Sequence, residues 1–250
     1  MNRAACMSAV MTLALLPYAA QAGPPFVTDD PEPTEYGHFE IYLFSEGTIN
    51  ATSKEGTALG VEVNYGALPD LQLSASLPAN FDAPDREGPA WGVGEAELGA
   101  KYRFLHEEEE GWQPQISFYP SAEFALGRSG RNIAGRGARI FLPLWAEKAF
   151  GNCDVFGGGG YRIATGEAAQ NSAFAGLGVL HRFGESLHAG AEVFHESSEE
   201  KGEVGETGFN VGVVYDLNTS LHLAGSLGSK FSDPRKLEGA SYYFALEWTI

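Results

Sequence analysis

The chain has 250 residues, a formal net charge of −17 at pH 7 and a hydrophobic fraction of 44%. Such acidity argues against nucleic acid as a partner, because phosphate groups bind Lys and Arg. Beyond residue 22 no apolar run approaches the roughly 18 residues of a transmembrane helix, so a membrane role would have to be carried by strands.

Residues 1–22 are predicted to form a secretory signal peptide. Arg3 precedes an apolar run, and Ala20-Gln21-Ala22 supplies the small residues expected before a cleavage site at Gly23. Removing this segment changes the formal charge from −17 to −18, because Arg3 is its only charged residue. It also leaves Cys153 as the single cysteine, so we expect no intramolecular disulfide.

Residues 23–36, GPPFVTDDPEPTEY, are rich in prolines and acids and show no hydrophobic period. We call this segment the leader. We predict that the leader has an irregular structure. It would fold into the periplasmic mouth of the domain formed by the remaining chain and act as a partial plug.

Residues 37–250 alternate apolar and polar side chains in about twelve segments, which is typical of strands with two unlike faces. EAELGAKYRF (95–104) places four charges on one face, and a dry core could hold them only with extensive pairing. We therefore predict an all-β fold, an antiparallel up-and-down transmembrane barrel with a wet lumen. The predicted strands are 37–46, 57–65, 71–78, 91–105, 113–124, 137–148, 153–163, 172–183, 187–196, 207–215, 221–228 and 241–250.

The connections between these segments alternate in length. Short ones such as GALPD (66–70) alternate with long ones at about 47–56, 79–90, 125–136, 164–171, 197–206 and 229–240. This alternation is expected when short turns face the periplasm and long loops face outside. Both termini would then be periplasmic.

The glycine-rich run GGGGY (157–161) does not predict a phosphate-binding loop, because no Lys-Ser/Thr and no helix pattern follow it. We interpret it as a strand whose small residues allow close approach of neighbouring groups. The sequence contains no pattern that predicts a cofactor.

The last ten residues, SYYFALEWTI (241–250), alternate strictly and predict the closing strand, with its apolar residues toward lipid. Apolar residues at the final, third-last and fifth-last positions resemble the signal read by the bacterial barrel-assembly machinery, which we therefore expect as a partner alongside outer-membrane lipid.

Three stretches resemble the phenol-degradation meta-pathway family of outer-membrane proteins assigned to transport. They are PFVTDDPEPTEYGHFEIYL, VEVNYGALPDLQLSASLP and GVGEAELGAKYRF, with Glu95 where Asp is more usual. The resemblance extends from about residue 25 to the C-terminus. It implies a barrel and the passage of small hydrophobic or aromatic compounds, and it supplies no catalytic residues.

The inward strand positions carry charges of both signs. One interpretation is a constriction that selects solutes, and the other is a salt-bridge network that fills the lumen and makes the barrel rigid. The predicted lumen residues are Glu40, Glu62, Glu95, Glu97, Lys101, Arg103, Glu123, Arg139, Arg162, Arg182, Glu192 and Glu247, with Glu147 in the same pattern.

Two weaker hypotheses remain beside passive passage of a small organic solute. His38 and His222, with neighbouring Glu40 and Glu247, could form a metal site, although hydrogen-bonded pairs explain them equally well. His181 and His195 lie at strand positions that alternate toward lipid, where the histidine of a lipid hydrolase would lie. A lipid hydrolase is therefore one alternative, and a purely structural barrel is another.

A girdle of aromatic residues is predicted at the periplasmic ends of the strands, facing lipid. Such belts are characteristic of membrane–water interfaces. The predicted members are Tyr65, Tyr102, Phe104, Phe183, Tyr215 and Trp248.

Overall fold

The computed structural model describes residues 25–108, 110–126, 137–165, 170–199, 201–233 and 236–250. The predicted signal peptide therefore lies outside the described residues. No helix in these ranges is long and apolar enough to span a membrane. The strands are β1 (Phe39–Ile49), β2 (Ser53–Leu68), β3 (Leu71–Pro84), β4 (Ala90–Val93), β5 (Glu95–Leu105), β6 (Gln115–Phe118), β7 (Ser121–Ala125), β8 (Arg139–Phe150), β9 (Cys153–Ala164), β10 (Ser172–Arg182), β11 (Leu187–Glu196), β12 (Glu206–Asn218), β13 (Leu221–Asp233) and β14 (Lys236–Thr249).

The strands form one closed antiparallel barrel. Neighbours in sequence pair around the ring, and the last strand pairs with the first, with Ile41 opposite Trp248 and Leu43 opposite Leu246. The segment 241–250 therefore closes the barrel as predicted. Closure leaves neither of these two strands with an unpaired edge inside the wall.

Two of the twelve predicted segments are each divided into two strands. β4 and β5 are separated at Gly94, and β6 and β7 are separated at Tyr119-Pro120. Pro120 has no N–H to donate to a neighbouring strand, although its carbonyl still accepts from Ala100 at 3.0 Å. The fourteen strands thus occupy twelve positions in the ring, and the twelve-strand prediction is confirmed.

The predicted loops at 47–56, 79–90 and 229–240 are partly wrong. β1 and β2 stay paired as far as Ile49 opposite Lys54, β3 reaches Pro84, and β13 and β14 pair as far as Asp233 opposite Lys236. Alternation is lost in these parts because a hairpin that extends beyond a bilayer has water on both faces. The apolar pattern therefore marks the membrane-spanning part of a strand and not its end.

The two faces of the wall are the reverse of those of a soluble protein. Outward side chains such as Leu73, Leu98 and Val213 are large, apolar and exposed, whereas the inward Gln72 and Asn210 are buried. Exposed apolar side chains around a whole barrel require a lipid environment.

Residues 25–34 of the leader lie inside the barrel, whereas Glu35 and Tyr36 are exposed. We call the end with the connections at 69–70, 106–114, 151–152, 183–186 and 219–220 the short-turn end, and both chain termini of the barrel are there. Thr28 and Pro31 are fully buried and Thr34 nearly so. The segment therefore belongs to the interior of the folded protein.

The outward face generates a prediction about stability. Leu177→Arg places a charge in the middle of β10, on the lipid side, and should destabilise the barrel by about 2–4 kcal/mol. Leu187→Arg is the matched control, because Leu187 faces outward at the start of β11 and should cost about 0–1 kcal/mol at the interface. The free energy of unfolding in lipid vesicles, measured by denaturant titration, tests both; equal losses would contradict the lipid-facing assignment.

Candidate functional site

The leader is attached to the wall at the short-turn end. Gly37 donates its N–H to the Gly66 carbonyl at 2.8 Å, and Gly66 donates to the His38 carbonyl at 3.1 Å. A side chain at position 66 would collide with the Glu35 carbonyl, because an added Cβ would lie 2.1 Å from that oxygen. Glycine is thus required at position 66 for the leader to turn into the lumen.

The other end of the leader is held by Glu192 on β11. The backbone N–H groups of Val27 and Thr28 each donate to one oxygen of this carboxylate at 2.8 Å. Asn210 on β12 donates its side-chain amide to the same carboxylate at 2.5 Å. Glu192 therefore acts as an acceptor for leader backbone, a role that its inward parity alone did not reveal.

The middle of the leader carries the acids that pair with the basic residues of β5. Lys101 lies 3.1 Å from Asp29 and 3.7 Å from Asp30. Arg103 lies 3.6 Å from Glu32. Arg103 also lies 3.2 Å from Asp70, so the leader acids and Asp70 together offset the repulsion between the two cations on this strand face.

Glycines on two further strands provide space for the leader. A Cβ added at Gly176 on β10 would lie 2.0 Å from Thr28 Oγ1, and one added at Gly212 on β12 would lie 2.7 Å from Pro25. The sequence shows these glycines at inward strand positions, but it does not show that the leader lies opposite them.

Burial sets the ionisation of the leader acids. Desolvation raises the pKa of Asp30 from 3.8 to about 7, and the nearby Lys101 only partly offsets it, while Asp29 and Glu32 raise it further. Desolvation likewise raises the pKa of Glu32, against the lowering effect of Arg103. The docked leader therefore binds a proton more readily than the same segment in water.

An aromatic cluster occupies the lumen beside β8, β10 and β11. The ring centroids of Trp145 and Phe174 are 6.0 Å apart, and those of Phe174 and Phe194 are also 6.0 Å apart. Gly158 in the GGGGY run lies against Trp145, and a Cβ there would be 2.9 Å from the indole ring. The run is a strand that gives room to large neighbours, as expected.

A group of ion pairs lies at the opposite end of the barrel. Arg139 pairs with Glu95, Glu123 and Glu199, the last at 3.0 Å. Arg162 pairs with Glu196 and with Glu199 at 2.6 Å. This network matches the interpretation of inner charges as a rigid filling.

A cavity of about 630 Å³ remains between the leader, the aromatic cluster and β1–β3, β5 and β11–β14. We call it the vestibule. Its walls combine aromatic rings with carboxylates, and its lining extends to Gly47 and Gly56 at the opposite end of the barrel. The lining residues used below are Phe44, Glu62, Asn64, Glu97, Tyr119, Phe194, Lys230 and Tyr243.

The predicted lumen residues fall into separate groups and not into one ring. Whether they select solutes stays a prediction. Lys101, Arg103, Glu40 and Glu192 contact the leader; Glu95, Glu123, Arg139 and Arg162 form the network at the opposite end; Glu62, Glu97 and Glu247 line the vestibule; Arg182 bonds to Asp154 and the Gly151 carbonyl; and Glu147, buried, accepts from Gln115.

The weak metal candidates each have their own carboxylate. His38, which is exposed, lies 3.9 Å from Glu35, and His222 lies 2.6 Å from Asp216. The described ranges contain no group of three or more His, Cys, Asp or Glu side chains suited to a metal ion. His222 is therefore hydrogen-bonded to Asp216, whereas His38 is too far from Glu35 for a hydrogen bond.

The outward histidines also have simple partners. His181 Nδ1 lies 3.0 Å from Cys153 Sγ, and His195 Nδ1 lies 2.9 Å from Thr207 Oγ1. Within the described chain neither forms the nucleophile, base and orienting group expected of a hydrolase. The Cys153–His181 contact has the distance of a nucleophile and its base, but no third polar group orients the imidazole among the described residues.

The predicted aromatic girdle lies at the short-turn end. Tyr65 is half-buried and stacks on Phe39 with ring centroids 4.6 Å apart. The others are exposed on the outer face: Tyr102, Phe104, Phe183, Tyr215 and Trp248.

No family model matches the chain, and no curated protein matches its sequence. Solved structures do resemble it. The COG4313 outer membrane channel from Pseudomonas putida F1 aligns with 88% of this chain and 98% of its own, at 14% identity and a TM-score of 0.69. NanC porin aligns with 83% of this chain and 98% of its own, at 9% identity and a TM-score of 0.58. KdgM porin, in complex with disordered oligogalacturonate, aligns with 83% of this chain and 98% of its own, at 10% identity and a TM-score of 0.55. At these identities the likeness establishes the fold, an outer-membrane β-barrel.

The raised pKa of Asp30 generates a prediction about the leader. A raised pKa means that the docked state holds the proton more tightly, so docking is strongest in acid and weakens as the pH rises toward about 7. Hydrogen exchange of the 25–36 peptide, corrected for intrinsic rates, should show less protection at about pH 8 than at about pH 5. Asp30→Asn removes this titration and should flatten the change; an unaltered pH dependence in this variant would assign the effect to other groups.

Proposed function

We propose that this protein is an outer-membrane channel for the passive passage of small organic solutes, with the leader as a partial plug. The vestibule is the observation that carries the proposal. A closed barrel with an outward apolar face needs no internal space for stability, yet about 630 Å³ stays open in its lumen, within the usual range of small-molecule sites.

The leader limits how easily a solute passes through the lumen from the vestibule to the short-turn end. It occupies the short-turn half of the lumen through Glu192, Lys101 and Arg103. A solute that reaches the vestibule from the opposite end would therefore meet the leader before it could leave. Partial displacement of this segment would connect the vestibule to the short-turn end.

Orientation and targeting follow from the same proposal. The short-turn end faces the periplasm, the signal peptide is cleaved, and β14 is recognised by the barrel-assembly machinery. Support comes from the outward, exposed Phe244, Trp248 and Ile250 in the final residues and from the girdle at the short-turn end.

The solute class draws on the resemblance to the phenol-degradation meta-pathway family, which suggests small hydrophobic or aromatic compounds. One motif of this resemblance, Thr28-Asp29-Asp30-Pro31, lies in the leader, where Thr28, Asp30 and Pro31 are buried. Aromatic rings around the vestibule, among them Phe44, Tyr119 and Phe194, are compatible with such solutes.

Liposome swelling with aromatic acids, alkylphenols and sugars tests passage directly. We expect at least one class of aromatic solute to enter faster than it enters protein-free liposomes. If every solute enters at the protein-free rate, the barrel is structural and the channel proposal fails.

Removing the cations that hold the leader gives a second test. Lys101→Gln/Arg103→Gln should raise single-channel conductance severalfold and expose the leader to protease, because lumen substitutions alter passage more than they disturb the lipid-facing surface. Lys148→Gln is the control, since Lys148 pairs with Glu107 at 2.5 Å and does not contact the leader. Heat-modifiable gel migration checks that all variants fold. Unchanged conductance with a protease-resistant leader would exclude these cations as a latch.

A further inference from the structure

We propose that the vestibule is a site for organic cations that carry an aromatic or other apolar group, and that the channel prefers them to anions of the same size. This inference rests on the proposed function and names the solute class of the same cavity. It does not follow from the family resemblance, which points to small hydrophobic or aromatic compounds without specifying their charge.

The first argument is the charge of the vestibule wall. The lining contains nine carboxylates: Asp29, Asp30, Glu32, Glu40, Glu46, Glu55, Glu62, Glu97 and Glu247. It contains two cations, Lys101 and Lys230, of which Lys101 already pairs with the leader. A cleft of one sign between low-dielectric walls concentrates ions of the opposite sign.

The second argument is that several of these acids, Glu62 and Glu97 among them, have no cation of their own in the described part of the chain. Glu62 accepts a hydrogen bond from Asn64 Nδ2 at 3.0 Å. Across the described part of the chain, no ion pair reaches Glu62 or Glu97 within 4.0 Å. Most inner charges of this barrel are paired, so these two carboxylates are available to a cationic ligand.

The third argument is an unused polar atom at the same place. Asn64 lines the vestibule and is buried, with 5% of its surface exposed. Its Oδ1 has no hydrogen-bond partner among the described residues. The partial negative charge of this carbonyl oxygen adds to that of the neighbouring carboxylate, and the two together attract a positively charged group.

The fourth argument is the aromatic surface across the cavity. Phe44 and Tyr243 stack with ring centroids 6.1 Å apart, and both line the vestibule with Tyr119 and Phe194. Two rings already lie close to a cation from the chain, Tyr119 to Lys101 at 5.2 Å and Phe194 to Lys230 at 5.9 Å. Aromatic faces attract cations and bind apolar groups, so the wall suits a solute that combines both.

The test compares phenyltrimethylammonium with benzenesulfonate, two aromatic ions of fixed and opposite charge. The measurement is made in planar bilayers at about pH 8, well above the ordinary pKa of a carboxyl group. Reversal potentials should give the cation about tenfold greater permeability, the lower bound expected of a cleft with one sign of charge. Glu62→Gln/Glu97→Gln should lower this ratio at least threefold. Glu185→Gln/Glu203→Gln removes the same charge from exposed positions outside the lining and should leave the ratio unchanged.

A second pair of variants separates the rings from the acids. Phe44→Leu/Tyr243→Leu should reduce the permeability of phenyltrimethylammonium relative to potassium severalfold while it leaves the selectivity of potassium over chloride in place. Equal losses for both cations would remove the aromatic part of the inference.

Calorimetric titration of phenyltrimethylammonium into the folded protein in detergent distinguishes failure of the inference from failure of the channel. Saturable binding that is lost in Glu62→Gln/Glu97→Gln, without passage through bilayers, would keep the cation site and overturn the channel. Passage with equal permeability of both ions would keep the channel and overturn the cation site. If the protein shows no binding and no passage, both the cation site and the channel are overturned.

Discussion

Hydrogen bonding of the backbone inside a bilayer is the constraint on which the rest of this structure depends. No water is present in hydrocarbon to bond an exposed N–H or C=O, so a sheet can span a membrane only as a closed ring. Pairing of β1 with β14 completes that ring. It also directs one face of every strand inward, which is why carboxylates, amides and guanidinium groups far apart in sequence meet in one small lumen.

The lumen is filled in two chemically different ways. Aromatic rings around Trp145 pack as a hydrophobic core would. The leader is held mainly by hydrogen bonds to Glu192 and ion pairs to Lys101 and Arg103, with one apolar contact of Phe26 on Phe156. The packed rings have no alternative partner, while each polar contact of the leader could be replaced by water. The leader is therefore the part of the filling best suited to move, and the acidic vestibule lies directly beside it.

Much of the architecture could be predicted because the alternation of apolar and polar side chains shows which face of each strand meets lipid and which faces the lumen. Twelve positions in the ring, the closing segment 241–250 and the outward aromatic residues all follow from parity. The hairpin extensions as far as Ile49 and Asp233 could not be predicted, since a strand in water on both faces needs no apolar alternation. Parity also placed Glu62, Glu192 and Arg139 inward without revealing that they belong to a cavity, a leader contact and an ion-pair network, because those groupings depend on distances across the ring.

The path of the leader has a consequence for how the barrel assembles. It joins the first strand directly, yet its tip is bound by Glu192, about 165 positions later in the chain. A contact of such long range is costly to form early, because closing a long loop loses chain entropy. Once β11 and β12 reach the tip, however, the same segment touches strands from both halves of the chain and ties them together before the wall is sealed. The leader would thus help to set the two halves of the growing barrel in register.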